Sequence, residues 1–535
     1  MTFLPTRPSV RFALALGVCL SGGNALFSQE PPKPAVPLAP AVVKQAVDDY
    51  LKGLNSAATP TPAEQAILNP GQPPAPAPGH AVAAPAPTPL AATWDNQMTF
   101  ASPDKDFRVR LGGRFQFQSV YFQQADRLQG KAPGNGGIPA SKAGEGVGAF
   151  DDGSFFRRVR VRADGTAYGN VEFVSEVNFE QLNYITYDHM WAGLKDVPYL
   201  GTVRVGQHKV PQGLEMMASD YHLTFLQDRS VLSEAVWTLF GQGVFLANNY
   251  LDQNVSAQVM AHRIQPTGFF TSDFGDGDYA ATGRLTGTPL YEDDGRYLVH
   301  LGASYQFRTG DLGRTIQPGA TGHAFADTQD VARFRARSEL RDATGIGAGG
   351  NLGGNTARFV DTGFLLADSV QTVSPEVLVN WGPVAVQAEA AFSKVQNAAS
   401  VYPAARLGAD RGDPLFWGGY VETSCFLTGE NRGYDRRFGV FDRAKVRKRL
   451  AFGQAGEGCE DCACGAWQIA YRYSYLDLDD NGITGGRLTQ QSVGLNWYLT
   501  DNLKVQFMYN HAARDAAPAR SGTVQGFGTL MQWYY

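Results

Sequence analysis

The sequence predicts an all-β protein, a transmembrane antiparallel up-and-down β-barrel of about 16 strands, preceded by a disordered Pro/Ala-rich segment. Three observations lead there. The chain opens with an export signal, it alternates apolar and polar residues with period two from about residue 95, and its last strand ends on the aromatic Tyr535. Aromatics make up 12% of the 535 residues and there are 61 glycines, a mixture that suits strands, tight turns and aromatic girdles better than helices.

The export signal comes first. Arg7 and Arg11 precede the apolar run from Phe12 to Leu20, and the small residues Ser21, Gly22, Gly23 and Ala25 follow, so residues 1–25 read as a signal peptide cleaved near Ala25. As a membrane anchor the run is too short, because a helical span takes about 20 residues. A lipoprotein would use Cys19, but Val18 fits poorly where a small residue is expected. No long uninterrupted apolar run follows. A chain of this kind can span a membrane only as a closed barrel, which leaves no strand edge unpaired in lipid. The expected location is the outer membrane of a Gram-negative type of cell.

Residues 26–93 are a Pro/Ala-rich linker, with stretches such as Pro73-Pro74-Ala75-Pro76-Ala77-Pro78 that favour extended polyproline conformations. A helical pattern over 41–54 interrupts it, with Val43, Val47, Tyr50, Leu51 and Leu54 on one face. It reads as a transient helix, since isolated helices of this length are marginal, or as a periplasmic tether or small oligomerisation helix.

Residues 94–535 form the barrel. Phe107, Val109, Leu111, Phe115 and Phe117 share one face, and Arg108, Arg110, Arg114, Gln116 and Gln118 the other. Leu503, Val505, Phe507 and Tyr509 likewise oppose Lys504, Gln506 and Asn510. A soluble sandwich also alternates, with its apolar face inward. The repeated Arg, Lys, Gln and Asn on the polar face instead suit a water-filled lumen. Strands are expected to begin near residues 107, 155, 171, 187, 201, 241, 253, 278, 297, 371, 383, 415, 465, 488, 503 and 523. Links at 168–170, 381–383 and 500–502 read as periplasmic turns, and the long links 123–154, 210–240 and 309–370 as outer loops. Segment 428–464 fits badly: it is long yet falls on the periplasmic side, as a long turn or a missed strand. Phe527, Met531, Trp533 and Tyr535 alternate to the end of the chain, the arrangement with which barrels present themselves to the assembly machinery.

The net charge of -5, with basic residues scattered, excludes a nucleic-acid binder. No zinc-protease His-Glu pair, phosphate-binding Gly-Lys loop or Gly-x-Ser-x-Gly elbow is present, so neither an enzyme nor a cofactor is expected.

Several patches, in order, carry a resemblance. They are Phe155-Phe156-Arg157-Arg158-Val159-Arg160-Val161, Val203-Arg204-Val205-Gly206-Gln207-His208-Lys209-Val210-Pro211, and Leu223-Thr224-Phe225-Leu226-Gln227-Asp228-Arg229. Phe426-Leu427-Thr428-Gly429-Glu430 then leads to Gly465-Ala466-Trp467, Tyr471-Arg472-Tyr473-Ser474 and Val493-Gly494-Leu495-Asn496-Trp497-Tyr498-Leu499. Over roughly residues 100–535 the chain resembles the phosphate-selective porin O and P family. That resemblance implies a sixteen-stranded outer-membrane channel, commonly a homotrimer, with inward-folded loops and an arginine-rich path for small anions.

A diffusion channel needs fixed charge facing water, strong enough to enrich one ion sign but not to trap it. Arginine suits phosphate because its planar fork donates to two oxygens and stays charged. Three rows qualify by spacing: Arg158, Arg160 and Arg162; Arg333, Arg335 and Arg337 within the 309–370 link; and Arg108, Arg110 and Arg114. Against the first row stand Glu172, Glu176, Asn178 and Glu180 on the next strand, which would pair Arg162 with Glu176 and Arg158 with Glu180. Long loops fold in to form the constriction in the family the chain resembles, which makes the second row, with Glu339 two residues beyond it, the preferred selectivity element.

Cys425, Cys459, Cys462 and Cys464 suggest disulfides in an exported chain, with three possible connectivities, ahead of a zinc site that would lack histidine. Asp477-Leu478-Asp479-Asp480-Asn481-Gly482 starts like a calcium loop, but Leu488 stands where a bidentate Glu is needed, so it reads as a strand-ending turn. The expectation is a passive channel for small anions, phosphate or polyphosphate. The alternatives are a general or sugar-permeable porin, or a plugged structural barrel tethered through its linker.

Overall fold

Alternation has a testable consequence: in a membrane barrel the polar face must be the buried one. The computed structural model describes residues 89–94, 97–128, 147, 150, 152–179, 185–226, 229–264, 279–309, 331–340, 358–400, 408–450, 464–516 and 521–535. The expected signal peptide, nearly all of the expected linker and the helix expected over 41–54 lie outside them.

The wall comprises β1 (Arg108–Gln124), β2 (Gly153–Ala167), β3 (Val171–Asn178), β4 (Thr186–Val197), β5 (Gly201–Lys209), β6 (Phe240–Tyr250), β7 (Val255–Ile264) and β8 (Tyr279–Glu292). It continues through β9 (Tyr297–Thr309), β10 (Ser369–Trp381), β11 (Val384–Gln396), β12 (Leu415–Phe426), β13 (Ala466–Asp480), β14 (Ile483–Tyr498), β15 (Leu503–Asp515) and β16 (Gly522–Tyr534). Each strand pairs antiparallel with the next. β16 then pairs with β1, with Phe117 opposite Met531 and Phe115 opposite Trp533, so the barrel is closed. The backbone of Tyr535 exchanges two hydrogen bonds with that of Gly113, extending the seam to the end of the chain. A hairpin of Ala91–Trp94 and Met98–Ala101 adds to the start of β1.

Burial is inverted as the polar face requires. Arg114, Gln116 and Gln118 are buried, whereas Phe117, Phe527 and Trp533 are exposed on the outside. Aromatic residues gather near the turn end, where Trp467 stacks on Trp497 with ring centroids 5.1 Å apart, as expected of an interfacial girdle.

Strand positions follow the sequence reading closely, with one informative exception. The strand expected near 488 begins at Ile483, because Gly485 and Gly486 interrupt the alternation that marks it. Asn481 and Gly482, both at positive φ, make the two-residue turn that joins it to β13, so the Asp-rich segment is a turn as expected.

Segment 428–464 is no missing wall strand. β12 and β13 pair directly, from Trp417 opposite Asp477 to Phe426 opposite Gln468. Residues 427–450 instead enter the bore from the turn end, as a strap containing a small hairpin, Gly433–Asp435 with Val440–Asp442. Its backbone and side chains bond to β3, β5, β7, β8, β9 and β10. The described parts of loop 210–239, and residues 331–340 and 358–368 of the 309–370 link, fold in as well, so among the described residues three segments share the lumen.

Candidate functional site

The lumen is built from long inward side chains that the alternation placed there, and from loop residues that meet them. Loop 210–239 begins with α1 (Leu214–Met217), whose first two N–H groups donate to the Glu389 carboxylate of β11 at 2.5 and 2.9 Å. Glu215 then accepts from the Ser230 N–H at 2.8 Å and from Arg472 of β13 at 2.8 Å. Farther along, Phe225 and Leu226 pack on Val120, Ala470, Met508 and Leu530 from the opposite arc. Close approach there depends on two inward glycines. A Cβ on Gly494 would sit 3.0 Å from Phe225, and one on Gly528 2.5 Å from Leu226.

Three wall arginines, Arg114, Arg158 and Arg160, hold this loop. Arg114 Nη1 lies 2.9 Å from Asp220, and its guanidinium sits 4.0 Å from the centre of the Tyr221 ring. Arg158 Nε is 3.2 Å from Asp220. Arg160 reaches Glu176 at 2.9 Å and Asp220 at 3.3 Å, and also pairs with Asp188. Arg162 reaches Asp164 and Glu176, each at 2.9 Å. Burial pushes the Asp220 carboxyl up, but Arg114, Arg160 and Arg158 outweigh it and hold the group well below the usual range. The expected Arg162–Glu176 pair is present. Arg158 instead meets Asp220, and Glu180 lies outside the described residues. Arg110 is paired with Asp164, and Arg108 is exposed at the turn end of β1. Four lumen arginines here share the carboxylates Asp164, Glu176, Asp188 and Asp220 with Arg110, and Lys209 and Arg229 also lie in the field of Asp220.

The second row lies in a different field. Arg333 donates to Asp361 at 2.8 Å. Arg337 gives its N–H to Glu234 at 2.9 Å and pairs with that carboxylate through its side chain; Arg358 pairs with Glu234 too. Glu234 belongs to α2 (Val231–Ala235) of loop 210–239, so the two inward loops are clasped. The sequence reading set Glu339 beside this row; the fold brings Asp361 and Glu234 to it instead. Glu339 is taken up by Ser474 at 2.5 Å and Ser492 at 3.0 Å, and burial raises its carboxyl above the ordinary range. The Arg335 side chain makes no hydrogen bond or ion pair among the described residues, although its backbone pairs with that of Asp361. Burial, then Arg358 and Arg333 beside it, hold its guanidinium down at about 10 despite Asp361 and Glu234.

Sequence reasoning missed three inward arginines that organise the bore. Arg472 meets Glu215 and Glu422 at 2.8 and 2.9 Å. Arg284 pairs with Glu376 at 2.5 Å and donates to the backbone oxygens of Phe438 and Gly439 in the strap. Arg204 pairs with Glu172 at 3.1 Å and stacks on Trp191. Each sits on the polar face of its strand, so the same alternation could have found them. Of the cysteines, Cys425 carries a free thiol, and Cys459 and Cys462 lie outside the described residues. Among the described residues no cluster of His, Cys, Asp and Glu could hold a metal ion.

Comparison with known proteins agrees with this architecture. The sequence profile described as "Phosphate-selective porin O and P" matches residues 145–535. "Porin O" of Pseudomonas aeruginosa is 25% identical over 461 residues, covering 81% of this chain and 90% of that protein. An uncharacterized protein of Caulobacter vibrioides is 27% identical, covering 97% and 93%. Among solved structures, an anion-selective porin from Comamonas acidovorans aligns at 10% identity with a TM-score of 0.42, covering 80% of this chain and all of that one. The DcaP channel of Acinetobacter baumannii aligns at 10% identity and 0.41, covering 82% and 99%. With its closed sixteen-stranded wall and a profile match over most of its length, the chain belongs to the phosphate-selective porin O and P family, as a channel of the Gram-negative outer membrane.

Proposed function

We infer that the channel passes small anions by passive diffusion, phosphate or polyphosphate among them, and that Arg335 is the lumen group through which it favours them. One observation carries this reading. On the inward loop four arginines, Arg333, Arg335, Arg337 and Arg358, share two carboxylates, Asp361 and Glu234, and Arg335 is the one left without a partner among the described residues. An unpaired guanidinium keeps its donors for a passing oxyanion, and the neighbouring arginines add to its field. The family description, phosphate-selective porin O and P, points the same way.

The test is reversal potential across a planar bilayer under a KCl gradient, with and without phosphate. Anion preference that falls in Arg335→Ala supports the reading, and cation preference in the wild type overturns it. A second reading, a general porin of weak charge preference, draws on the ion-paired arginines around Asp220. It predicts near-equal permeability to both ions and no effect of phosphate. Homotrimeric assembly and disulfides within the cysteine cluster remain part of the proposed biology.

A further inference from the structure

The wall does not stop where its closing strand stops. β16 ends at Tyr534, and the backbone of Tyr535 bonds only as far as Gly113, yet β1 begins at Arg108, farther toward the turn end. On the seam side that early part of β1 is paired with the hairpin instead. Leu111 stands opposite Met98 and Val109 opposite Phe100, and in the next strand Met98 stands opposite Trp94 and Phe100 opposite Ala92. The hairpin thus takes up the ladder where the C-terminus leaves it. The two meet over Gly112, where a Cβ would lie 2.3 Å from the backbone oxygen of Tyr535 and 2.6 Å from the side-chain nitrogen of Gln97.

The alternation of the wall carries on into this extension. Phe117 is outward on β1, so Leu111 and Val109 are outward too, and the register sets Met98, Phe100, Trp94 and Ala92 on the same face. Thr99, on the opposite face, is buried. Trp94, Met98 and Leu111 are 64%, 46% and 43% exposed, as open as Phe117 and Trp533 at 40% and 46% on the lipid-facing wall. Phe107 and Tyr168 prolong the patch, with ring centroids 5.0 Å apart. Beyond it Asp104, Lys105 and Asp106 stand exposed in the turn that joins the hairpin to β1.

We propose that the hairpin of Ala91–Trp94 and Met98–Ala101 is a lipid-docking foot, whose outward apolar face rests on the phospholipid leaflet at the turn end. Continuity carries the assignment, since this face prolongs the lipid-facing wall without a break in register. Contiguous apolar patches on a surface mark such contacts. The backbone fixes the depth. Among the described residues Ala91–Trp94 pairs only with Met98–Ala101, which leaves its far edge open. An open edge cannot lie in hydrocarbon, so the foot sits at headgroup level, where an indole has an apolar ring for the lipid and an N–H for water. The foot also covers the edge of β1 that the C-terminal strand leaves bare at the lipid boundary.

The experiment uses the full chain in dioleoylphosphatidylcholine vesicles. The emission of Trp94 is read as the difference between wild type and Trp94→Phe, a substitution of one exposed ring by another that leaves the barrel intact. Trp533, on the outer face of β16, is read in the same way through Trp533→Phe and marks the response of a lipid-facing ring. Replacing the lipid by its analogue brominated on the acyl chains close to the glycerol is expected to remove most of the Trp94 emission, as for Trp533, and iodide in the buffer is expected to spare most of it. Quenching by iodide but not by the brominated lipid places the hairpin in water and overturns the proposal. Protection from both quenchers places a second copy of the chain against it and overturns the lipid assignment as well. The outcome is independent of which ions the channel favours.

Discussion

His222 Nε2 lies 3.1 Å from the Asp442 carboxylate, so the loop that crosses the bore and the strap that enters from the turn end are joined where they meet. The contact is electrostatically one-sided. Hydrogen bonding from His222 holds the Asp442 carboxyl at about 2, while burial, aided by Arg443 and Lys504, lowers the His222 imidazole against the pull of Asp442.

Acid should therefore loosen the junction. A histidine with a lowered folded pKa costs stability as pH drops below its unfolded value near 6.5, because the unfolded form takes the proton more readily. A carboxylate with a depressed pKa contributes above its unfolded value of 3.8 and loses that contribution as pH falls through about 2. Both act in the same direction. At constant ionic strength, current noise should be lowest above pH 6.5 and rise steadily toward pH 3, and His222→Ala should be noisy already at pH 7. A flat profile in the wild type would show that the junction does not control the bore.

Glu389→Ala should free the start of the crossing loop. It removes the acceptor for two buried N–H groups and for the Tyr420 hydroxyl, and each unmatched group costs about 1–3 kcal/mol. The wall itself keeps its ladder, so the folded barrel should persist with urea stability lowered by about 3 kcal/mol or more. Single-channel recordings should then show a second, larger conductance level, absent from the wild type.

Room for that loop is made by glycine, which gives a matched pair of substitutions. A Cβ at Gly528 would meet Leu226 at 2.5 Å and Leu340 at 2.8 Å, whereas at outward-facing Gly283 the nearest atom is 3.9 Å away. Overpacking of this kind costs about 1–3 kcal/mol. Gly528→Val should push the loop tip off the wall and alter conductance, and Gly283→Val should match the wild type. Equal behaviour of the two variants would mean that the loop does not set the bore.

How far these features could be read from residues alone follows from the range of the forces involved. The wall was legible because alternation is local: Phe117 and Gln116 face opposite ways for reasons within a few residues of chain. Closure was legible too, through the aromatic run into Tyr535. Pairing inside the lumen was not. Asp220 meets Arg114, Arg158 and Arg160, and Glu234 meets Arg337 and Arg358, across separations of up to 124 residues that no short-range pattern encodes. The strap was hidden for a different reason. Its basic run is plain in the sequence, but a turn is expected to leave the barrel, and nothing local says that Gly433–Asp442 turns inward.

Arg335 and Arg162 offer the sharpest division between selecting ions and holding structure. Both are lumen arginines, but Arg162 lies 2.9 Å from Asp164 and from Glu176, and those carboxylates also serve Arg110 and Arg160. Removing Arg162 leaves buried carboxylates short of a partner, which costs about 3–5 kcal/mol where a pair is fully buried and less here, since Arg162 is 24% exposed. Removing Arg335 breaks no pair among the described residues. Arg162→Ala should therefore lower stability in urea, and Arg335→Ala should leave stability within about 0.5 kcal/mol. Their conductance phenotypes should reverse that order. Arg335→Ala should reduce phosphate block of chloride current roughly tenfold, equivalent to about 1.4 kcal/mol, as expected for loss of one charge-assisted contact. Arg162→Ala should change block by less than about twofold, because a guanidinium already bound to two carboxylates has few donors left for a third. If Arg162→Ala instead abolishes the block while Arg335→Ala spares it, the anion path runs along the wall and the inward loop serves only to narrow it.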